Sequence, residues 1–266
     1  MSFLSIITSL LYVFCAVLFF LRLLNKPIGA FNKKSILMSI GVIGSVLHFY
    51  ILTQVMNTPL GIDISIFSIL SLTSWLILSL LLLAMLRYPV ENLAIIIMPL
   101  AAFFIILRYI SPHHFYLNDT LSPGLISHIL LSILSYSLLS IAAVQAILLY
   151  IQERHIRNRH PGGFVRALPP LETMETLLFH MITIGFLLLS VSLLTGIFYL
   201  DNIFEQHLVH KTLLSILGWI TFAILLWGRH QFGWRGRTAI KWTISGFVLL
   251  MLAYFGSNFV MQLILK

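Results

Sequence analysis

Apolar residues run along this chain in blocks of about twenty, separated by short polar or basic gaps. At 1.5 Å per residue, a helix of that length crosses the roughly 30 Å hydrocarbon core of a bilayer. The pattern predicts eight such helices, near residues 3–22, 35–56, 65–86, 89–109, 124–151, 176–200, 210–228 and 242–264. The expected fold class is therefore all-α, a polytopic membrane protein with eight transmembrane helices. No gap suits a separate soluble domain, so residues 1–266 read as one integral-membrane domain. Between the third and fourth helices, Arg87-Tyr-Pro-Val-Glu91 leaves room only for a tight hairpin. Pro89 is expected in the first turn of the fourth helix, where its missing N–H costs nothing. The longest loop, 152–175, holds Pro161-Gly-Gly and Pro169-Pro170 and reads as a hinge between two halves.

Charge orients these helices. Of the 16 Lys and Arg residues, all but Arg108, Lys211 and Lys266 fall in the gaps after odd-numbered helices. Lys and Arg are retained on the cytoplasmic side during insertion. Both termini are therefore expected on the outer, periplasmic side of the inner membrane, and the Gly233-Trp-Arg-Gly-Arg237 turn on the cytoplasmic side. Arg235 and Arg237 are expected there among anionic lipid headgroups. With 59% hydrophobic and 9% charged residues, the chain could not cover a soluble surface. A net charge of +8 would suit nucleic acid, but these cations sit in short loops between apolar blocks. Topology accounts for them, and no nucleic-acid partner is expected. The single cysteine, Cys15, excludes an internal disulfide and a cysteine metal cluster. The first apolar block lacks the basic start of a cleaved signal and ends in Arg22 and Lys26, so it reads as a retained helix.

The same topology sorts the ten histidines. His113, His114, His128, His207 and His210 fall at the outer side, and His48 lies about 12 Å below the outer end of the second helix. His155, His160 and His230 fall on the other side, with His180 just inside the membrane there. A neutral imidazole can ligate iron and still hydrogen-bond through its second nitrogen. His128 shares a helix face with Ser132, Ser135, Ala142 and Ala146, a small-residue stripe that lets another helix approach closely. Its ring is expected inside the bundle. His128 and His210 begin helices that start at the same membrane face, which makes them the candidate metal ligands. His48 and His207 are further candidates, and each of the four has an alternative role as a hydrogen-bond partner of a neighbouring helix. His113 and His114 read as solvated loop residues.

Trp219, facing inward from the seventh helix, is a candidate to pack on a flat macrocycle. Trp227, Trp234 and Trp242 read as packing residues or interfacial anchors. Asp63, Asp119, Asp201 and Glu205 all fall in loops, so no buried carboxylate relay is expected. The chain holds no phosphate-cradling glycine loop, HExxH motif or recognisable Ser/His/Asp context. No independent catalytic constellation emerges, and the chain is not expected to be an enzyme. The lack of a visible inverted repeat weakens a transporter reading.

Three stretches carry a resemblance. They are Gly61-Ile-Asp-Ile-Ser-Ile-Phe-Ser-Ile-Leu-Ser-Leu-Thr-Ser-Trp75, His128-Ile-Leu-Leu-Ser-Ile-Leu-Ser-Tyr136, and the Gly-Trp-Arg-Gly-Arg turn followed by Tyr254-Phe-Gly-Ser-Asn-Phe259. Over most of its length the chain resembles the cytochrome c assembly family of haem-handling membrane proteins, the CcsA, CcmC and HemX type, and within it the small eight-helix YpjD branch. The resemblance implies haem, written as haem b, held near the outer face between two histidines and over a tryptophan-rich segment. His128 matches the first of those histidines by its Ser-Tyr context. The tryptophan-rich segment would fall near 199–212, which contains no tryptophan. Trp227 stands where haem-delivering relatives carry a histidine, and the chain reaches Lys266 before their second outer histidine. His210 or His207 would then supply the second ligand, and full ligation of haem to apocytochrome is not expected. Membrane lipids and other cytochrome c maturation or membrane-complex proteins are the implied partners. A non-haem scaffold assisting a respiratory or metal-transport complex is the alternative.

Overall fold

The computed structural model describes residues 2–59, 61–111, 116–117, 122–158, 162–199 and 206–256. Eight helices in it are long and apolar enough to cross a membrane, and the chain is an all-α polytopic membrane protein. It divides into two compact units, residues 1–119 with 162–168, and residues 120–161 with 169–266.

The first unit contains α1 (Ser2–Leu23), α2 (Lys34–Met56), α3 (Ile66–Ala84) and α4 (Glu91–Ile110). Each packs on two others, α1 on α2 and α4, and α3 on α2 and α4, which closes a four-helix bundle. Leu37, Leu78, Leu81, Met85, Leu93 and Met98 are wholly buried in it. Gly44 lets α2 close on α1, because a Cβ there would lie 2.6 Å from the Tyr12 ring. At one end, short antiparallel strands β1 (Asn57–Thr58), β2 (Gly61–Asp63) and β3 (Tyr116–Leu117) form a sheet in the order β1-β2-β3. Gly61 takes φ 116° at the β1–β2 turn, a conformation that favours glycine.

The second unit contains α5 (Pro123–Arg157), α6 (Leu171–Tyr199), α7 (Gln206–Phe232) and α8 (Gly236–Met251), which continues as a π turn over Leu252–Gly256. Ser122 caps α5 by accepting from Leu125 N–H, and Pro123 occupies its first turn, where no N–H is needed. The small stripe on α5 works as expected: Ser135, Ala142 and Ala146 are fully buried. Ser135 donates to the Gly185 carbonyl of α6 at 2.9 Å. Helices α7 and α8 meet just as closely, since a Cβ on Gly246 would lie 2.8 Å from the Phe222 ring.

Several boundaries differ from the hydropathy reading. Helix α5 continues past 151 to Arg157, and α6 begins at Leu171, before 176. Hydropathy marks where the membrane ends, while these helices continue beyond it as polar turns. Gln152 donates there to the Pro169 carbonyl at 2.9 Å. Helix α4 begins at Glu91 with Val90 as its cap, so Pro89 precedes the helix.

Candidate functional site

Two turns into α5, the half-buried His128 meets α6. Its Nδ1 lies 2.8 Å from the Ser192 carbonyl oxygen. A carbonyl only accepts, so Nδ1 carries the proton and the lone pair of the neutral ring sits on Nε2. Thr195 Oγ1 donates to the same carbonyl at 2.8 Å and lies 3.4 Å from Nδ1. Fixing one imidazole nitrogen on a protein oxygen sets the tautomer and aims the other nitrogen, the arrangement typical of a metal-ligating histidine.

Below His128 on the same face lie Ser132 and Tyr136. The Tyr254 hydroxyl at the π turn hydrogen-bonds Ser132. Tyr136 stacks on the Tyr254 ring with centroids 5.2 Å apart and planes 22° apart. Phe247 and Phe255 meet the Tyr136 ring at 5.6 and 5.5 Å. Two stretches that carry the family resemblance, His128–Tyr136 and the start of Tyr254–Phe259, therefore converge one to two turns from the His128 ring.

The other candidates lie on α2 and α7. His210 is exposed on the second turn of α7. Trp219 donates its Nε1–H to Ser190 Oγ at 2.8 Å and stacks on Phe186 at 5.4 Å, so its edge and face are engaged with α6. Nine positions separate His210 from Trp219, which puts them on opposite faces of α7, roughly 180° apart. His207 lies in the first turn of α7. His48 belongs to the first unit and is fully buried. Its Nε2 lies 3.0 Å from Ser71 Oγ and its Nδ1 3.4 Å from the Tyr12 hydroxyl. Both nitrogens of His48 thus have protein partners. His113, His114, Asp119, Asp201, Glu205 and residues 257–259 lie outside the described residues. No cluster of three or more His, Cys, Asp or Glu side chains suited to a metal occurs among the described residues.

Two charged features go beyond the sequence reading. Asp63 is no exposed loop acid: it is wholly buried at the end of β2, and Arg108 Nη2 lies 2.5 Å from its Oδ2. Arg108 Nε also donates to Ser68 Oγ at 2.7 Å, and Ser65 N–H donates to Asp63 Oδ1 at 2.9 Å. The pair ties the sheet to α3 and α4. A lone arginine at the end of α4 and an acid beside a serine-rich helix start were the available signals. Arg235 and Arg237, expected among headgroups, also hold carboxylates. Arg235 Nε binds Glu175 Oε2 at 3.1 Å, Arg237 Nε binds Glu153 Oε1 at 3.0 Å, and Gly236 N–H donates to Glu175 Oε1 at 3.0 Å.

A profile described as cytochrome C assembly protein matches residues 42–265 of this chain. The chain belongs to that family. It is 40% identical over 153 residues to the inner membrane protein YpjD of Escherichia coli K12, a match covering 58% of each chain. It therefore spans less than two thirds of that curated relative. It is 24% identical over 137 residues to the protein HemX of Brevibacillus brevis, covering 51% of this chain and 50% of the relative. Similarity to the cytochrome c biogenesis protein CcsA of Prochlorococcus marinus reaches 26% identity over 285 aligned positions, 91% of this chain and 88% of the relative. No solved structure matches. Together with its eight apolar helices, these matches make this family member a multi-pass protein of the inner membrane.

Proposed function

We propose that this protein handles haem during cytochrome c biogenesis, holding haem b near the outer membrane face with His128 as an axial ligand. Membership of the cytochrome c assembly family supports the class of role. One observation supports the residue: His128 Nδ1–H donates to the Ser192 carbonyl at 2.8 Å, which leaves the Nε2 lone pair as the ligating one. When bound, haem would supply an iron centre able to accept two histidine nitrogens. The chain's own residues would orient the ring of His128, while Tyr136 and Tyr254 give an apolar, stackable wall nearby. His210 is the proposed second ligand and His207 the substitute, both from the first turns of α7. The haem would be non-covalent, because the single cysteine, Cys15, is buried against the Leu37 carbonyl of the first unit. The protein would act as an assembly factor without chemistry of its own, working with cytochrome c maturation partners in the lipid bilayer.

Haem titration of the purified full chain tests this reading. One haem per chain with a low-spin absorption spectrum is the expected result. A chain that stays colourless under haem supply and excess haem would leave the scaffold reading. That reading draws on His48, whose two ring nitrogens are already partnered within the protein.

A further inference from the structure

Where α6 meets the His128 ring, three donors converge on one backbone oxygen. Thr195 Oγ1 donates to the Ser192 carbonyl at 2.8 Å, and His128 Nδ1–H donates to the same oxygen at 2.8 Å. Helix α6 continues to Tyr199, so its regular hydrogen-bond pattern brings the Gly196 N–H to that carbonyl as well. Ser192 is 1% exposed, and its carbonyl finds its donors inside the protein. A carbonyl oxygen has two lone pairs. The helix claims one for Gly196, and the hydroxyl and the imidazole divide the other. Thr195 Oγ1 itself lies 3.4 Å from Nδ1, too far to replace the carbonyl as the acceptor of the ring.

Hydroxyls elsewhere on α6 show the ordinary arrangement. Thr183 donates to the Phe179 carbonyl and Ser190 to the Phe186 carbonyl, each at 2.8 Å within the helix. Thr195 instead reaches an oxygen that His128 also uses. That position gives its hydroxyl leverage on the ring. A hydrogen bond donated by the far nitrogen of an imidazole raises the basicity of the ligating nitrogen. Shared between two donors, the carbonyl pulls less on the Nδ1 proton, and Nε2 keeps less electron density.

We propose that Thr195 is a positioning residue that moderates the hold of the Ser192 carbonyl on the His128 Nδ1 proton, and so sets how strongly Nε2 donates to a bound haem iron. Donation to iron rests on the haem reading above; the hold on the proton is a property of the protein alone. Two measurements on the full chain in detergent separate them. With isotopically labelled histidine and no haem, magnetic resonance reads the His128 Nδ1 proton directly. With haem loaded, a redox titration reads the reduction potential, which hydrogen bonding to an axial ligand tunes. Thr195→Val keeps the branched shape and removes the hydroxyl. Its Nδ1 proton moves to lower field, because the freed lone pair bonds it more tightly. The potential of its haem falls, because a more electron-rich Nε2 favours ferric iron. Thr195→Ser, which keeps the hydroxyl, and Thr183→Val, which removes one bonded elsewhere on α6, both retain the wild-type values. A Thr195→Val chain with the wild-type proton resonance overturns the proposal, and so does a haem-loaded one with the wild-type potential. An equal displacement in Thr195→Ser overturns it too, since packing and not the hydroxyl would then be the cause. If the wild-type chain takes up no haem, the haem reading fails by itself, and the proton resonance alone decides for or against Thr195.

Discussion

At the scale of single residues, burial separates the histidines and acids more sharply than their position in the chain does. Asp63 and Arg108 are a buried, hydrogen-bonded pair, so removing one partner strands the other charge away from water. Asp63→Asn or Arg108→Leu should each lower stability by about 3–5 kcal/mol, read by denaturation in detergent. An unchanged unfolding midpoint would mean that the pair does not hold the sheet to α3 and α4. The sequence shows both residues but not their meeting, because they lie 45 positions apart and join only when β2 reaches the end of α4. His128 was legible for a different reason. Its face along α5 continues in small residues, so helical periodicity alone turns it toward the bundle. Its Ser192 partner was invisible, since the acceptor is a backbone carbonyl whose side-chain identity carries no signal.

At the scale of elements, close helix approach sets the geometry around His128. Gly185 sits where a Cβ would meet Leu139 at 2.7 Å, so α5 and α6 touch almost backbone to side chain. Gly185→Leu should push the helices apart and cost about 1–3 kcal/mol, with any His128-dependent haem spectrum broadened or lost. A variant with wild-type stability would show that this contact tolerates expansion. The α7–α8 turn depends instead on charge. Glu175 is buried and accepts from Arg235 and from Gly236 N–H. Glu175→Gln should reduce the yield of inserted protein more than Arg235→Gln does, because one carboxylate serves both donors. Equal yields would mean that the turn does not depend on the Glu175 carboxylate. The helices themselves were readable from apolar blocks, while their ends were not. Hydropathy reports the membrane, and polar turns such as Gln152–Arg157 continue the helix past it. The strands β1 to β3 carry no readable alternation because they are only two or three residues each.

At the scale of the whole molecule, thirteen cations in the gaps after odd-numbered helices support an orientation with both termini outside. A reporter fused after Lys266 should be active only in the outer compartment, and cytoplasmic activity would reverse the side of every histidine. The family was legible from three short stretches, and two of them meet at the Tyr136–Tyr254 stack. The proposed pairing of His128 with His210 was drawn from a shared membrane face alone. Helical register adds that His210 and Trp219 occupy opposite faces of α7, which a linear sequence scan does not display. Ligation of haem iron by His128 Nε2 is read in the absorption spectrum of haem-loaded His128→Gly before and after adding imidazole. Loss of the low-spin spectrum and its return with imidazole, which occupies the vacated space, is the expected result. An unchanged spectrum in His128→Gly would contradict it.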